Sequence, residues 1–352
     1  MSTLILPCAG RSTRFPNSRP KWSLTHPYGE LMVIQSIKGL DLNQYDKIVA
    51  VFVKEDLEQF GLRDGIIKSF ENLGKNYEIV ELENTTKSQS ETVTRAIEKL
   101  NIQGGILVKD CDGYFNGDSV DGNFVYVCSL QDVDKINAKS KSYVDVDTNG
   151  FIKTIVEKDV ISSLFCCGGY SFSDASKFVK TYKKLSDLSN DEIYISHIIY
   201  QQILDGETFK IENVDNFKDW GTLSDWDEYK KQYKTLFIDL DGVLVENSGE
   251  YVGNIWGTTK DLGSNKRYIN KLYDSGKTRI IITTSRKSSY KDETLSQLNN
   301  LGIKFHDIIF DLLHCQRILI NDFSSSNSYP TSKSVNLPRN NNNLDDYLKE
   351  NF

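Results

Sequence analysis

The stretch Leu4-Ile5-Leu6-Pro7-Cys8-Ala9-Gly10-Arg11-Ser12-Thr13-Arg14-Phe15, followed by Arg19-Pro20-Lys21, decides how this chain is read. Leu4–Leu6 is an apolar run that predicts a strand, and it breaks into a turn of small residues. Backbone N–H groups of Ala9, Gly10, Arg11, Ser12 and Thr13 in such a turn can be offered to a triphosphate. Arg14 and Lys21 add cationic charge where a phosphorus under attack accumulates negative charge.

Outward from this turn, apolar β-type runs alternate with helix-like ones. Strands are predicted at Lys47–Val53, Tyr77–Leu82, Gly105–Val108 and Phe124–Ser129, with helices at Leu31–Leu40, Leu57–Leu73 and Ser90–Leu100 between them. This βαβ rhythm predicts an α/β fold with a mostly parallel sheet that binds ligands at the carboxyl ends of its strands. Further elements follow at Gly150–Lys158, Phe165–Phe172, Ala175–Leu185, Ile193–Leu204 and Phe209–Val214. A polar helical stretch then leads to a second start: strand Thr235–Asp239, helix Lys266–Ser275, strand Thr278–Thr283, helix Lys291–Leu301, and strands Asp307–Phe310 and Arg317–Asn321. The restart predicts two domains, residues 1–231 and 232–352. The tail tract Asn340–Asn343 reads as a solvated loop.

Composition bounds the function. The chain has 352 residues, 39% hydrophobic and 26% charged, enough apolar content for two cores. Its formal net charge is −7 and no Lys/Arg stripe stands out, which disfavours a nucleic-acid partner. No apolar run approaches the roughly 18–20 residues of a membrane helix, and the N-terminus lacks a signal-peptide pattern, so a soluble cytoplasmic protein without membrane insertion is expected. Cys8, Cys111, Cys128, Cys166, Cys167 and Cys315 show no zinc spacing and are expected to be reduced and mostly buried.

Strand Gly105–Lys109 ends in Asp110-Cys111-Asp112, carboxylates well placed to hold Mg²⁺ against phosphate oxygens. Together with the opening turn, this resembles the sugar-phosphate nucleotidyltransferase family over about residues 2–230. That family's signature is a Gly-rich turn, Thr-Arg-Phe/Met, then Pro-Lys. Here Pro7-Cys8 and Arg11-Ser12 depart from it. The resemblance implies a GT-A/Rossmann-like domain with a mixed sheet, phosphate binding by Arg14 and Lys21, and a first metal aspartate at Asp110, with Asp112 close behind. Asp219-Trp220-Gly221-Thr222 resembles the second metal motif, which implies Asp219. Glu157-Lys158 resembles the pair that contacts the acceptor and its phosphate, and Phe165-Cys-Cys-Gly168-Gly169-Tyr170 the strand against the sugar, which implies Gly169. Lys87–Thr92 stands where the family reads base and ribose, which implies Gln89 and Ser90.

In the second domain, Leu236-Phe-Ile-Asp239-Leu240-Asp241-Gly242 is an apolar strand ending in two aspartates. A nucleophilic carboxylate, a bound Mg²⁺ and a nearby acid are what phosphoryl transfer to aspartate requires. The stretch resembles the haloacid-dehalogenase superfamily over about residues 233–352, as a small Rossmannoid domain with a minimal cap. The resemblance implies Asp239 as nucleophile, Asp241 as general acid/base, Thr284 and Arg317 toward the phosphate, and Asp239, Asp241 and Asp322 as metal ligands. Asn321 replaces one usual aspartate.

These readings combine into a nucleotidyltransferase that uses an NTP, with a lean to CTP, and a sugar or polyol phosphate, releasing pyrophosphate with Mg²⁺. The fused phosphatase would serve the same supply of activated sugar for a capsule or other surface polysaccharide. A degenerate, regulatory second domain and a DxD nucleotide-sugar glycosyltransferase are the alternatives. A homo-oligomer is compatible with either.

Overall fold

The computed structural model describes residues 2–11, 14–15, 18–118, 121–133, 136–188, 190–251, 255–322 and 330–351. Ser12 and Thr13, expected in the phosphate turn, lie outside the described residues. The chain divides into two units, Met1–Trp226 and Asp227–Phe352. The division falls a few residues before the expected break at 231/232, inside a helix.

The first unit carries β1 (Ser2–Pro7), α1 (Met32–Gln35), β2 (Lys47–Val53), α2 (Lys54–Gln59), α3 (Arg63–Glu71), β3 (Tyr77–Leu82), α4 (Gln89–Leu100), β4 (Gly105–Lys109) and β5 (Gly113–Asn116). These are followed by β6 (Phe124–Ser129), β7 (Ser142–Val146), β8 (Ile152–Glu157), β9 (Leu164–Phe172), α5 (Ala175–Leu188), α6 (Ile195–Leu204), β10 (Lys210–Asn213), β11 (Asp215–Asp219) and α7 (Leu223–Lys231), whose end crosses into the second unit. Among the described residues a nine-stranded sheet runs β10-β6-β9-β4-β1-β2-β3, with the β7–β8 pair attached at β9. It is mixed: β1 lies parallel to β2 and β4, whereas β9 runs antiparallel to β4 and β6.

Alternation explains why β1 sits inside. Leu4 and Leu6 point into the core on one face and Ile5 into the core on the other, and all three are fully buried. One face is covered by α4, α5 and α6 through Val93, Ile97, Phe178 and Ile198; the other packs Trp22, Val33, Phe52, Ile66 and Phe70. Helix α4 starts where the Ser88 hydroxyl accepts the Glu91 N–H at 3.2 Å, and it stops at left-handed Asn101. The single helix expected over Leu57–Leu73 is two, because Gly61 at φ +60° turns the chain between them. The helix expected over Leu31–Leu40 keeps only the turn of α1. Gly39 lies so close to the Phe115 carbonyl that a Cβ would stand 1.9 Å from its oxygen, and this backbone contact takes the chain off a helical path.

The second unit has β12 (Lys234–Asp239), α8 (Gly263–Asp274), β13 (Thr278–Thr283), α9 (Lys291–Asn300), β14 (Asp307–Ile309) and α10 (Leu344–Asn351). The three strands are parallel in the order β12-β13-β14, around a core of Ile238, Leu240, Ile269, Ile280, Ile282 and Leu298. The strand expected at Arg317–Asn321 is absent, and Ile318 and Ile320 are 78% and 89% exposed. Arg317 is held at the carboxyl end of β12 by Asp239, so the run cannot begin at the amino end, as a parallel partner of β12 must. The tract Asn340–Asn343 is a loop with Asn340 and Asn342 exposed, as expected, but it is also anchored. Asn340 and Asn342 accept the N–H groups of Asn247 and Ser264, and α10 follows with Leu344 and Leu348 buried.

Candidate active site

In the first unit the carboxyl ends of β1 and β4 lie side by side, as the parallel register Ile5↔Val108 requires. Beyond them, Cys8 and Cys111 are neighbouring buried thiols, and burial first, then the Cys111 thiol, push the Cys8 thiol up. They form the floor of a cleft of about 830 Å³ lined by the Gly10 turn, the start of α4, the Asp110–Gly113 turn, the ends of β7 and β8, and Asp219–Gly221. Gly10 is exposed and no atom lies within 4 Å of where its Cβ would be, so the backbone there is open to close approach by a ligand. Arg11 and Arg14 line the same mouth.

The cationic and acidic groups expected apart in sequence meet here. Lys21 Nζ donates to Asp112 Oδ2 at 2.6 Å, and Arg14 Nη2 stands 3.9 Å from the same oxygen. Burial would raise the Asp112 carboxyl, but the Lys21 ammonium and its hydrogen bond outweigh it and hold Asp112 well below the usual carboxylate range. Asp110 has the opposite setting. Burial and the Asp112 charge raise it, and its Oδ1 accepts the Gln89 amide. On the other side it presses on Gly168, whose φ of +80° leaves a would-be Cβ only 2.5 Å from Asp110 Oδ2.

Of the two aspartates expected at this turn, Asp112 is the one that shares an open point with Asp219. The Trp220 N–H donates to the Asp112 carbonyl at 2.9 Å, which draws the end of β11 against the turn. A Cβ on Gly221 would lie 3.0 Å from Asp219 Oδ1, 3.6 Å from Arg14 Nη1 and 3.8 Å from Asp112 Oδ2, so these groups surround one point that only glycine leaves open. Among the described residues no three Asp, Glu, His or Cys side chains gather as a metal site, neither Asp110, Asp112 and Asp219 nor Asp239, Asp241 and Asp322. Two carboxylates around an open point do fit Mg²⁺, which keeps several waters and takes one or two protein carboxylates plus phosphate oxygens.

Glu157, at the end of β8, accepts the hydroxyls of Ser142 and Ser196, the latter at 2.8 Å. Lys158 follows at φ +61°, and its ammonium donates to the Tyr194 hydroxyl, 4.2 Å above that ring. Two expected contacts fall elsewhere. Ser90 is fully buried and donates to the Ile193 carbonyl, whereas the cap residue Ser88 and Gln89 and Thr92 of α4 line the cleft. Gly169 packs against Tyr126 and Phe115, and Gly168 borders the cleft instead. Ala9 is buried, its carbonyl accepting the Thr86 N–H.

Sequence reading missed Lys141 and Lys109. Lys141 Nζ lies 2.7 Å from Asp219 Oδ2. Lys109, 0% exposed, donates to the carbonyls of Asp110 and Gly113 at 2.8 Å each and stands 4.7 Å from the Phe115 ring centroid. A lysine ending an otherwise apolar strand beside two aspartates was the available signal.

In the second unit the two aspartates are gripped by arginines. Arg286, 0% exposed, binds both oxygens of Asp241 at 2.8 and 2.9 Å and also donates to Thr294 and Gln297. Both Arg317 Nη atoms reach Asp239 Oδ1 at 3.0 Å; burial raises the Asp239 carboxyl and the Arg317 charge opposes this. The hydroxyl beside Asp239 is that of Thr283, its register partner, whereas the expected Thr284 is buried and accepts the Arg286 N–H. Asp322 is exposed.

All six cysteines are free, five of them buried, and no described helix is long and apolar enough to cross a membrane. No protein-family model and no curated protein matches the chain. Solved structures do resemble it. A nucleoside-diphosphate-sugar pyrophosphorylase from Vibrio cholerae RC9 matches with a TM-score of 0.54 at 19% identity, over 64% of this chain and 98% of that one. An inositol-1-phosphate CTP transferase from T. maritima gives 0.51 at 17%, over 64% and 90%. A putative glucose-1-phosphate thymidylyltransferase from Bacillus anthracis, solved with sucrose, gives 0.53 at 16%, over 65% and 93%. At these identities the likeness is one of fold, and it covers the N-terminal part of the chain.

Proposed function

We propose that the N-terminal unit moves a nucleoside monophosphate from an NTP onto the phosphate of a sugar or polyol and releases pyrophosphate. The reading is carried by the meeting of Arg14, Lys21, Asp112 and Asp219 beside the open Gly10 turn. An acceptor phosphate oxygen forms a bond to the α-phosphorus as the bond to pyrophosphate breaks. Arg14 and Lys21 stabilise the charge that builds on the donor phosphates. Asp112 and Asp219 would hold Mg²⁺, which when bound neutralises phosphate charge and aligns donor with acceptor. Gln89 and Ser88 face the nucleotide, Glu157 orients the acceptor and Lys158 binds its phosphate. A departing pyrophosphate needs this cationic mouth more than transfer from a finished sugar nucleotide does, which sets the glycosyltransferase reading second.

CTP is the first nucleotide to try, supported by the inositol-1-phosphate CTP transferase among the structures of similar fold. Supply of an activated sugar or polyol for a surface polysaccharide is the role such a product would fill. For the C-terminal unit, the bidentate Arg286–Asp241 pair favours a non-hydrolytic module over a phosphatase. A general acid must reach the leaving oxygen, and both oxygens of Asp241 are already taken by Arg286.

The test is pyrophosphate release with each NTP and Mg²⁺ against a panel of sugar and polyol phosphates. One pair should react, with Lys21→Ala and Asp112→Ala each lowering kcat at least about a hundredfold and Asp110→Asn doing less. Silence across the panel, or activity that survives Asp112→Ala, overturns the reading. Hydrolysis of phosphate esters that is lost in Asp239→Asn would restore the phosphatase.

A further inference from the structure

We infer that Lys141 is a second phosphate-binding residue on the acceptor side of the cleft, held in reserve by Asp219; this rests on the nucleotidyl-transfer reading above. Lys141 precedes β7 and Lys158 follows β8. The hairpin register Ser142↔Glu157 sets these two lysines opposite each other, and the Lys158 N–H donates to the Lys141 carbonyl at 3.0 Å. Both line the cleft next to Glu157, whereas Lys21 and Arg14 cluster on Asp112.

The Lys141 ammonium is 2.7 Å from Asp219 Oδ2, and the two side chains are only 17% and 16% exposed. The other oxygen, Oδ1, takes the Gly221 N–H at 3.1 Å and faces the open point shared with Asp112. One carboxylate cannot satisfy a divalent cation and a close ammonium equally, because the two repel each other across it. When Asp219 turns its charge to the cation, Lys141 is left partly buried and in need of an anion. The anion arriving at this end of the cleft is the acceptor's phosphate, which Lys158 reaches from the same hairpin. Cation binding at Asp219 and phosphate binding at Lys141 are therefore mutually reinforcing, each removing the other's competitor.

The test uses the full chain and two probes, Mn²⁺ followed by electron paramagnetic resonance and inorganic phosphate. In the wild type, phosphate should tighten Mn²⁺ binding. In Lys141→Met, Mn²⁺ alone should bind several-fold more tightly than to wild type, and the phosphate enhancement should vanish; Lys141→Arg should keep it. In steady-state transfer, Lys141→Met should raise the acceptor KM about ten- to a hundredfold, as loss of a charged hydrogen bond predicts, with the NTP KM nearly unchanged. Mn²⁺ affinity that is unchanged or weaker in Lys141→Met, or an unaltered acceptor KM, overturns the assignment. If wild type transfers no nucleotide with any pair, the transfer reading fails, and the Mn²⁺ and phosphate arm still decides the Lys141–Asp219 exchange.

Discussion

His26 shows how one buried side chain couples this fold to pH. It is 1% exposed, packed near the rings of Tyr28, Trp220 and Trp226, and its Nδ1 accepts the Tyr28 N–H at 3.2 Å. Burial first, with Lys38 adding and Glu30 opposing, lowers its pKa from 6.5 to about 4. The folded state keeps the ring neutral while the unfolded state takes up a proton. The stability this contributes is whole above pH 6.5 and is lost as pH falls from there toward 4. Relative to His26→Phe, wild type should lose about 2 kcal/mol between pH 7.5 and 5, read by urea unfolding at each pH. Equal slopes for the two proteins would remove His26 as the cause. Because Trp220 follows Asp219 directly, the same packing also fixes where β11 ends.

At the scale of elements, the turn between β4 and β5 decides the site. Asp110, Cys111 and Asp112 project differently because the chain doubles back, and Lys109 pins both ends of that reversal through two carbonyls. Lys109→Met keeps the apolar volume but takes the Lys109 donor from the buried Gly113 carbonyl and the partly buried Asp110 carbonyl. Each unsatisfied group costs about 1–3 kcal/mol, so a fall of about 2–4 kcal/mol in urea stability is expected. Transfer should fall in kcat with little change in NTP KM, since Asp112 is displaced while Lys87–Gln89 are not. A variant with normal kcat would show that the turn holds itself. The helix α4 is a contrasting case. Its Ser88 cap and Asn101 stop are local, and its span was readable within one residue of its start.

At the scale of the whole molecule, the two units have separate cores, with Ile5, Phe52 and Phe172 in one set and Ile238, Ile269 and Ile282 in the other. Arg286→Met leaves Asp241 charged, partly buried and without its guanidinium, a loss of about 3–5 kcal/mol. Calorimetry of wild type should resolve two unfolding transitions. The substitution should lower only one of them and leave nucleotidyl transfer intact. If transfer fell in step with that transition, the second unit would be part of the transferase.

What the sequence determined by itself is what local chemistry controls. Apolar runs set most strands, with Lys47–Val53, Tyr77–Leu82 and Thr278–Thr283 read to the residue, and a charged turn after β1 located one wall of the cleft. What only the tertiary structure decided is which members of each motif face each other. Gly168 rather than Gly169 and Ser88 rather than Ser90 line the cleft, and of the two aspartates there it is Asp112 that shares the open point with Asp219, because one residue along a strand changes its face and two along a helix change its side. The antiparallel course of β9, the missing strand at Arg317–Asn321, and the Lys141–Asp219 and Arg286–Asp241 pairs rest on residues far apart in sequence, 45 positions or more for the two ion pairs. No window of sequence contains both partners of such a pair, and burial of a charge becomes affordable only once its partner has been brought to it.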